Sequence, residues 1–181
     1  MRCSWADSSE EMQAYHDNEW GKIDKDERYL FEMLSLELSQ AGLSWATILK
    51  RRSGYKKAFE NFDVDKVSKY SDDKIEQLLN DPGIIRNKLK VNAIINNARQ
   101  IKKLHDNNET FANYIWKFVD DKQIINHYQT MDEIPAQDEL SRKISKSLKK
   151  AGFKFIGPTI VYSFLQAIGV INDHLDSCDF K

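Results

Sequence analysis

The chain predicts an all-α fold. Apolar residues recur at spacings of three and four rather than two, Leu, Ile, Lys, Glu and Asn are used heavily, and only 7 glycines and 3 prolines interrupt 181 residues. Asp24-x-x-Glu27 offers a capping box, after which Leu30, Leu34, Glu37 and Ala41 lie on one stripe of a helix. Gln40-Ala41-Gly42-Leu43-Ser44 ends that helix, and Ser44 caps the next, which carries Trp45, Ile48 and Leu49. Shorter helices read at about 54 to 61 and 71 to 80. The turn Asp81-Pro82-Gly83 follows, and Val91, Ile94, Ile95, Ala98 and Ile101 stripe a long helix. Phe111, Tyr114, Ile115 and Phe118 mark another, and the stretch from Asp120 to Asp138 is the least regular. No strand pattern competes.

The last third contains a helix striped by Leu140, Ile144, Leu148 and Ala151 and another striped by Ile160, Val161, Phe164, Leu165 and Ile168. Gly152-Phe153-Lys154-Phe155-Ile156-Gly157-Pro158 joins them. Two glycines permit tight backbone geometry there, and exposed N–H groups ahead of the second helix can hold a phosphate oxygen. The element at about 140–169 therefore reads as a helix-hairpin-helix, or as an ordinary αα-hairpin; Lys149, Lys150 and Lys154 beside the turn pull towards the DNA-binding form.

Bulk properties set limits. A length of 181 residues fits one globular domain with a core that needs no disulfides. The N-terminal Met1-Arg2-Cys3-Ser4-Trp5 lacks the apolar stretch of a signal peptide and no segment reaches membrane-span length, so a cytoplasmic protein is expected. With 27 basic and 28 acidic residues the net charge announces no polyanionic partner. Local clusters do exist: Lys50-Arg51-Arg52, Lys56-Lys57, Arg86 with Lys88 and Lys90, and the run from Arg142 to Lys154. They read as solvated helix faces or as a phosphate track.

Three sets of residues could carry chemistry. Cys3 and His16 near the start, with His174 and Cys178 near the end, supply the thiolate and imidazole donors that suit zinc. Four protein ligands would leave no open position for a reacting water, so such an ion would be a structural clasp joining the two ends of the chain. His174-x-x-x-Cys178 places both donors on one face if that segment is helical. The same four residues can also be two small apolar residues and two surface histidines.

Trp5, Trp20 and Trp45 cluster with Tyr15, Tyr29 and Glu37 in the first quarter of the chain. Aromatic faces beside a carboxylate suit a flat, electron-poor or cationic ligand, although clustered aromatics also build cores. Glu37 is the sharper signal. A carboxylate on an apolar stripe is either paired structurally or functional.

Tyr15-His16-Asp17-Asn18-Glu19-Trp20-Gly21, Leu36-Glu37, Gln40-Ala41-Gly42-Leu43-Ser44-Trp45, Gly83-Ile84-Ile85-Arg86, Gly152-Phe153-Lys154-Phe155-Ile156-Gly157 and Asn172-Asp173-His174 occur in that order from one end of the chain to the other. This series closely resembles the bacterial 3-methyladenine DNA glycosylase I family. The resemblance implies an all-helical helix-hairpin-helix glycosylase of residues 1–181 with a structural zinc held by Cys3, His16, His174 and Cys178. It implies that Tyr15, Glu37 and Trp45 form the base pocket with Trp5 and Trp20 as walls, and that Gln40, Gly42 and Leu43 probe DNA where the damaged nucleotide leaves the stack. Gly152, Lys154 and Gly157 then hold backbone phosphates of double-stranded DNA containing alkylated bases.

The implied activity is monofunctional hydrolysis of the N-glycosidic bond of 3-methyladenine, by a monomer. Asp173 is expected to orient a neighbour such as His174. Two positions depart from the family pattern: Met12 stands where a second tyrosine is common, and Ser39 where glutamine is. The competing classes are a non-catalytic, zinc-stabilised DNA-binding module, which leaves Glu37 idle, and a zinc hydrolase or deaminase, which needs an open metal position and an H-x-E with P-C-x-x-C pattern absent from this sequence.

Overall fold

The structure, a computed structural model, describes residues 1–181. Its helices are α1 (Glu10–Asn18), α2 (Glu27–Gln40), α3 (Trp45–Lys50), α4 (Arg52–Ala58), α5 (Val64–Val67), α6 (Asp72–Leu79), α7 (Lys88–Asp106), α8 (Phe111–Trp116), α9 (Glu139–Lys150) and α10 (Pro158–Ala167). Side-chain caps explain most of the starts. Ser9, Asp26, Ser44, Asp63, Ser71, Asn87, Thr110 and Asp138 each accept a hydrogen bond from a backbone N–H in the first turn. The cap of α2 is Asp26 and not the expected Asp24, whose Oδ1 instead accepts from the Asp26 N–H at 2.8 Å. Glu27 does not close a capping box on α2; it accepts from the N–H groups of Phe111 and Ala112 and so caps the start of α8.

Helix α2 is the centre of the fold. Leu30 through Ser39 are buried without interruption, and the helix packs against α3, α7, α8 and α10. Its buried hydroxyls are satisfied locally, Ser35 donating to the Phe31 carbonyl and Ser39 to the Ser35 carbonyl, each at 2.7 Å. Buried Glu32 is met by the Arg52 guanidinium at 2.6 Å. Glu37 is the charged residue of this helix that no cation meets.

Three elements were not read from the sequence: the helices α1 and α5, and a pair of short strands in which Ile124–Ile125 (β1) runs parallel to Ile171–Asn172 (β2). Strands of two residues are too short to show alternation, so the sequence carried no mark of them. They tie the irregular stretch after α8 to the segment that follows α10.

α9 and α10 pack against each other across the short turn that joins them. α9 ends in a Schellman motif: Gly152 takes φ +92, its N–H donates to the Lys149 carbonyl, and the Phe153 N–H reaches back to Leu148, both at 3.0 Å. α7 holds the turn from outside, with Asn97 bonded to both the N–H and the carbonyl of Lys154 and Asn96 donating to the Gly152 carbonyl. No helix is long and apolar enough to cross a membrane.

Candidate active site and metal centre

The four expected donors meet. Cys3, His16, His174 and Cys178 are all buried, and their ligand atoms lie within 4.8 Å of one another. α1 brings His16, the residue before the first 3-10 turn brings Cys3, and the segment after β2 brings the other two. That last segment is not helical, so the shared helix face that the His174-x-x-x-Cys178 spacing would give does not apply. It runs from β2 into tight turns, with the Cys178 N–H donating to the Leu175 carbonyl at 2.9 Å, and this turn folds the thiol back to 3.3 Å from His174 Nδ1.

The donor set fits a tetrahedral ion. Cys178 Sγ is 3.6 Å from His16 Nε2 and Cys3 Sγ is 3.9 Å from His174 Nδ1. Zinc bonds of about 2.3 Å to sulfur and 2.0 Å to nitrogen, at tetrahedral angles, put such atoms about 3.6 Å apart. The outer hydrogen bonds also fix the rings. His174 Nε2 lies 2.8 Å from the Trp20 carbonyl, which can only accept, so Nε2 carries the proton and Nδ1 turns its lone pair to the thiols. His16 Nδ1 is 2.8 Å from Asp17 Oδ1, which leaves Nε2 for the cluster in the same way. Asp17 is in turn gripped by Arg2 through three contacts of 2.8 to 2.9 Å. Burial pushes the Cys3 thiol up to about 11 and the His174 imidazole down to about 4, so burial favours the neutral form of both. A divalent cation would stabilise the thiolates that this burial opposes.

The four-donor cluster backs onto a pocket of about 450 Å³. Trp5, Tyr15, Trp20, Trp45 and Glu37 all line it, so the structure brings the sequence-derived aromatic group and carboxylate together. The Trp5 ring centroid lies 5.1 Å from Trp20 and 5.2 Å from His16, and Tyr15 lies 5.1 Å from Trp45. Trp20 touches both sites, its ring 4.7 Å from His174 and its carbonyl holding that histidine.

Glu37 is 5 % exposed, and burial alone pushes its carboxyl up to about 8. The Tyr15 phenol is pushed well up, first by burial and then by Glu37. The Trp45 indole N–H is buried without an acceptor. Tyr29 belongs elsewhere: its hydroxyl donates to Glu19 and the Ala167 carbonyl outside the pocket. Met12 does line the pocket, whereas Ser39 does not and bonds within α2.

Sequence reasoning missed the opposite wall. Thr159, Tyr162, Ser163 and Gln166 come from α10, and Met131, Ile134, Pro135 and Ala136 from the irregular stretch. The α10 residues fall at i, i+3, i+4 and i+7, a polar stripe on an otherwise apolar helix that the sequence does display. Asp173 stands behind this wall, fully buried, and accepts from Tyr162 Oη at 2.6 Å and from Gln166 Nε2 and Asn126 Nδ2 at 2.7 Å each. It therefore orients the pocket wall and not His174, correcting the expectation.

The pocket opens past Gln40 onto the turn after α2. A smaller cavity of about 220 Å³ shares Glu37, Gln40, Thr159 and Ser163 with it and adds Ala41, Gly42 and Leu43. Gly42 has φ +79 with open space where a Cβ would lie, so its conformation and not its size calls for glycine. Leu43 is 40 % exposed on this lip. On the hairpin, Lys154 is exposed, and Gly157, at φ −60, also faces open space.

The chain matches the family model described as methyladenine glycosylase over residues 5–181. It is 46% identical over 177 residues to DNA-3-methyladenine glycosylase 1 of Escherichia coli K12, covering 98% of this chain and 95% of that protein. DNA-3-methyladenine glycosylase of Haemophilus influenzae is 41% identical over 180 residues, covering 99% and 97%. A crystal structure of 3-methyladenine DNA glycosylase I superposes with a TM-score of 0.97 at 45% identity, covering 99% of this chain and 98% of that one. The Staphylococcus aureus enzyme, solved to show how 3-methyladenine is recognised, gives 0.95 at 35% identity, covering 99% and 96%.

Proposed function

The chain belongs to the methyladenine glycosylase family, and from that membership we propose that its aromatic pocket receives a 3-methyladenine base turned out of double-stranded DNA. It is a DNA-3-methyladenine glycosylase, a base-excision repair enzyme that hydrolyses the N-glycosidic bond, releases the free base and leaves an abasic site. The observation that carries the residue assignment is Glu37, a buried carboxyl that no protein cation compensates, set in a pocket walled by Trp5, Tyr15, Trp20 and Trp45.

Methylation at N3 puts positive charge on the base and weakens its bond to the sugar, so the base leaves as a neutral group and the enzyme has less chemistry to supply. The pocket supplies recognition. Trp45 and Tyr15 stack against the ring, and Glu37 accepts hydrogen bonds from its edge. In the empty pocket at neutral pH Glu37 is largely protonated; a cationic base lowers its pKa and draws out the carboxylate, whereas an uncharged adenine gives no compensation for that buried charge. Water then attacks the sugar. No lysine lines the pocket, so no Schiff base forms and the strand is not cut.

Gln40, Gly42 and Leu43 enter the space left by the flipped nucleotide, Leu43 as the apolar wedge. The α9–α10 hairpin serves as the helix-hairpin-helix, with Gly152 shaping the turn and Lys154 and the uncovered backbone at Gly157 meeting phosphates. Zinc fits the four-donor cluster as a structural ion: Cys3, His16, His174 and Cys178 would hold it, and its charge would stabilise the thiolates and join the chain ends behind Trp20. We read residues 1–181 as a single glycosylase domain working as a monomer in the cytoplasm, where its DNA lies. The test of the pocket is a tryptophan-fluorescence titration with the 3,9-dimethyladeninium cation, which keeps the positive charge that the methylated base carries in DNA. The reading requires saturable quenching that Glu37→Gln weakens at least tenfold; equal quenching by both would remove Glu37 from base recognition.

A further inference from the structure

Among the basic residues around the start of α7, Lys90 differs from Arg86 and Lys88 by turning inward; it is 7 % exposed. Its Nζ donates to the Ser39 carbonyl at 2.9 Å and to the Ala41 carbonyl at 2.6 Å. Both acceptors belong to the C-terminal end of α2, where carbonyls lack helical partners and the helix dipole is negative. A buried ammonium at this place binds orphaned carbonyls and complements the dipole at once.

The second acceptor has a further consequence. Residues 40–43 form a type II β-turn: Ala41 has φ −48 and ψ 118, Gly42 has φ +79, and the Leu43 N–H donates to the Gln40 carbonyl at 2.6 Å. Type I and type II turns differ chiefly in a half-turn flip of the central peptide plane, here the one joining Ala41 to Gly42. Lys90 holds the carbonyl of that peptide. In a trans peptide the N–H points opposite to the carbonyl, so this bond directs the Gly42 N–H away from α7, and no protein acceptor takes it.

We infer that Lys90 is a positioning residue for DNA engagement, one that locks the Ala41–Gly42 peptide in its type II orientation and thereby sets the aim of Leu43 and of the free Gly42 N–H at the lip of the pocket. The inference rests on the reading that this turn enters DNA. Lys90 does not line the base pocket, and Glu37 owes its raised pKa to burial alone, so Lys90 acts on the turn and not on the carboxylate.

The experiment compares wild type, Lys90→Met and Leu43→Ala in two assays: base release from methylated duplex DNA at subsaturating concentration, and fluorescence titration with free 3-methyladenine. Lys90→Met keeps the length of the side chain and removes its charge and donors. The expected result is a fall of about tenfold or more in kcat/KM on duplex, carried mainly by KM, with free-base affinity within about twofold of wild type. Parallel loss in both assays would reduce Lys90 to general support of the fold and overturn the inference, as would unchanged duplex activity. Loss in Leu43→Ala without loss in Lys90→Met would overturn the role of Lys90 while leaving the wedge in place. Full duplex activity in Leu43→Ala would overturn the wedge reading, and with it the route through which Lys90 acts. If Lys90→Met does not fold, Lys90→Gln is put through the same assays and judged by the same outcomes.

Discussion

The His174 imidazole donates its Nε2–H to the backbone carbonyl of Trp20 at 2.8 Å, so one ring serves two sites: Nδ1 faces the cysteine thiols and Nε2 holds a wall of the aromatic pocket. On the function proposed above, a metal clasp between the ends of the chain would be mechanically part of base recognition.

Metal removal should therefore affect stability and activity together. Stripping the ion leaves two thiols and two imidazoles packed in an apolar setting with nothing to charge-compensate a thiolate, and it frees Trp20. A loss of about 3 to 5 kcal/mol would lower Tm by roughly 10 °C in a domain of this size. Calorimetry and base release, both before and after chelation, check this. Activity lost at unchanged Tm would point to a catalytic ion instead.

Glu37→Gln should stabilise the protein, with a defined pH dependence. The folded-state pKa is raised from 4.5 to about 8 by burial. Below about 4.5 the group is neutral in both states and the substitution changes little; between 4.5 and 8 the unfolded chain ionises while the folded one does not, which draws the equilibrium towards unfolding. At about 1.4 kcal/mol per pH unit, the variant gains up to about 5 kcal/mol by pH 8, with the difference constant above it. Denaturant titrations across that range would refute the burial argument if the two proteins tracked each other.

Leu43→Ala should weaken binding to damaged duplex by about tenfold while leaving binding to a damaged single strand within about twofold, because only the duplex needs its stack filled. Loss on both substrates to the same degree would assign Leu43 to packing against α3.

Lys154→Ala should lower DNA affinity without regard to sequence and flatten the dependence of log K on log salt by about one unit of slope. An unchanged slope would take Lys154 off the phosphate backbone and leave the hairpin as plain helix-helix packing.

The residues with the rarest chemistry were the ones legible in sequence. Cys3, His16, His174 and Cys178, and Glu37 among its tryptophans, stand out by type alone, and the structure places each set together. Local geometry was less readable. Asp24 and Asp26 offer similar caps two residues apart, and only the path of the chain decides for Asp26. The spacing of His174 and Cys178 fits a helix face as well as the turns that follow β2, because four residues can bring two side chains together either way.

Long-range partners left no local trace. Thr159, Tyr162, Ser163 and Gln166 look like a solvent face until Asp173 and the irregular stretch from Asp120 to Asp138 are packed against them. Lys90 looks like any surface lysine until the end of α2 is laid beside it.

The most direct test is chromatography of the bases that purified wild type and Glu37→Gln release from methylated duplex DNA. The account predicts free 3-methyladenine from the wild type, little from the variant although it stays folded, and no borohydride-trapped adduct with either. Equal release by the two proteins would contradict it, since the carboxyl that burial leaves uncompensated in the pocket would then have no part in taking the base.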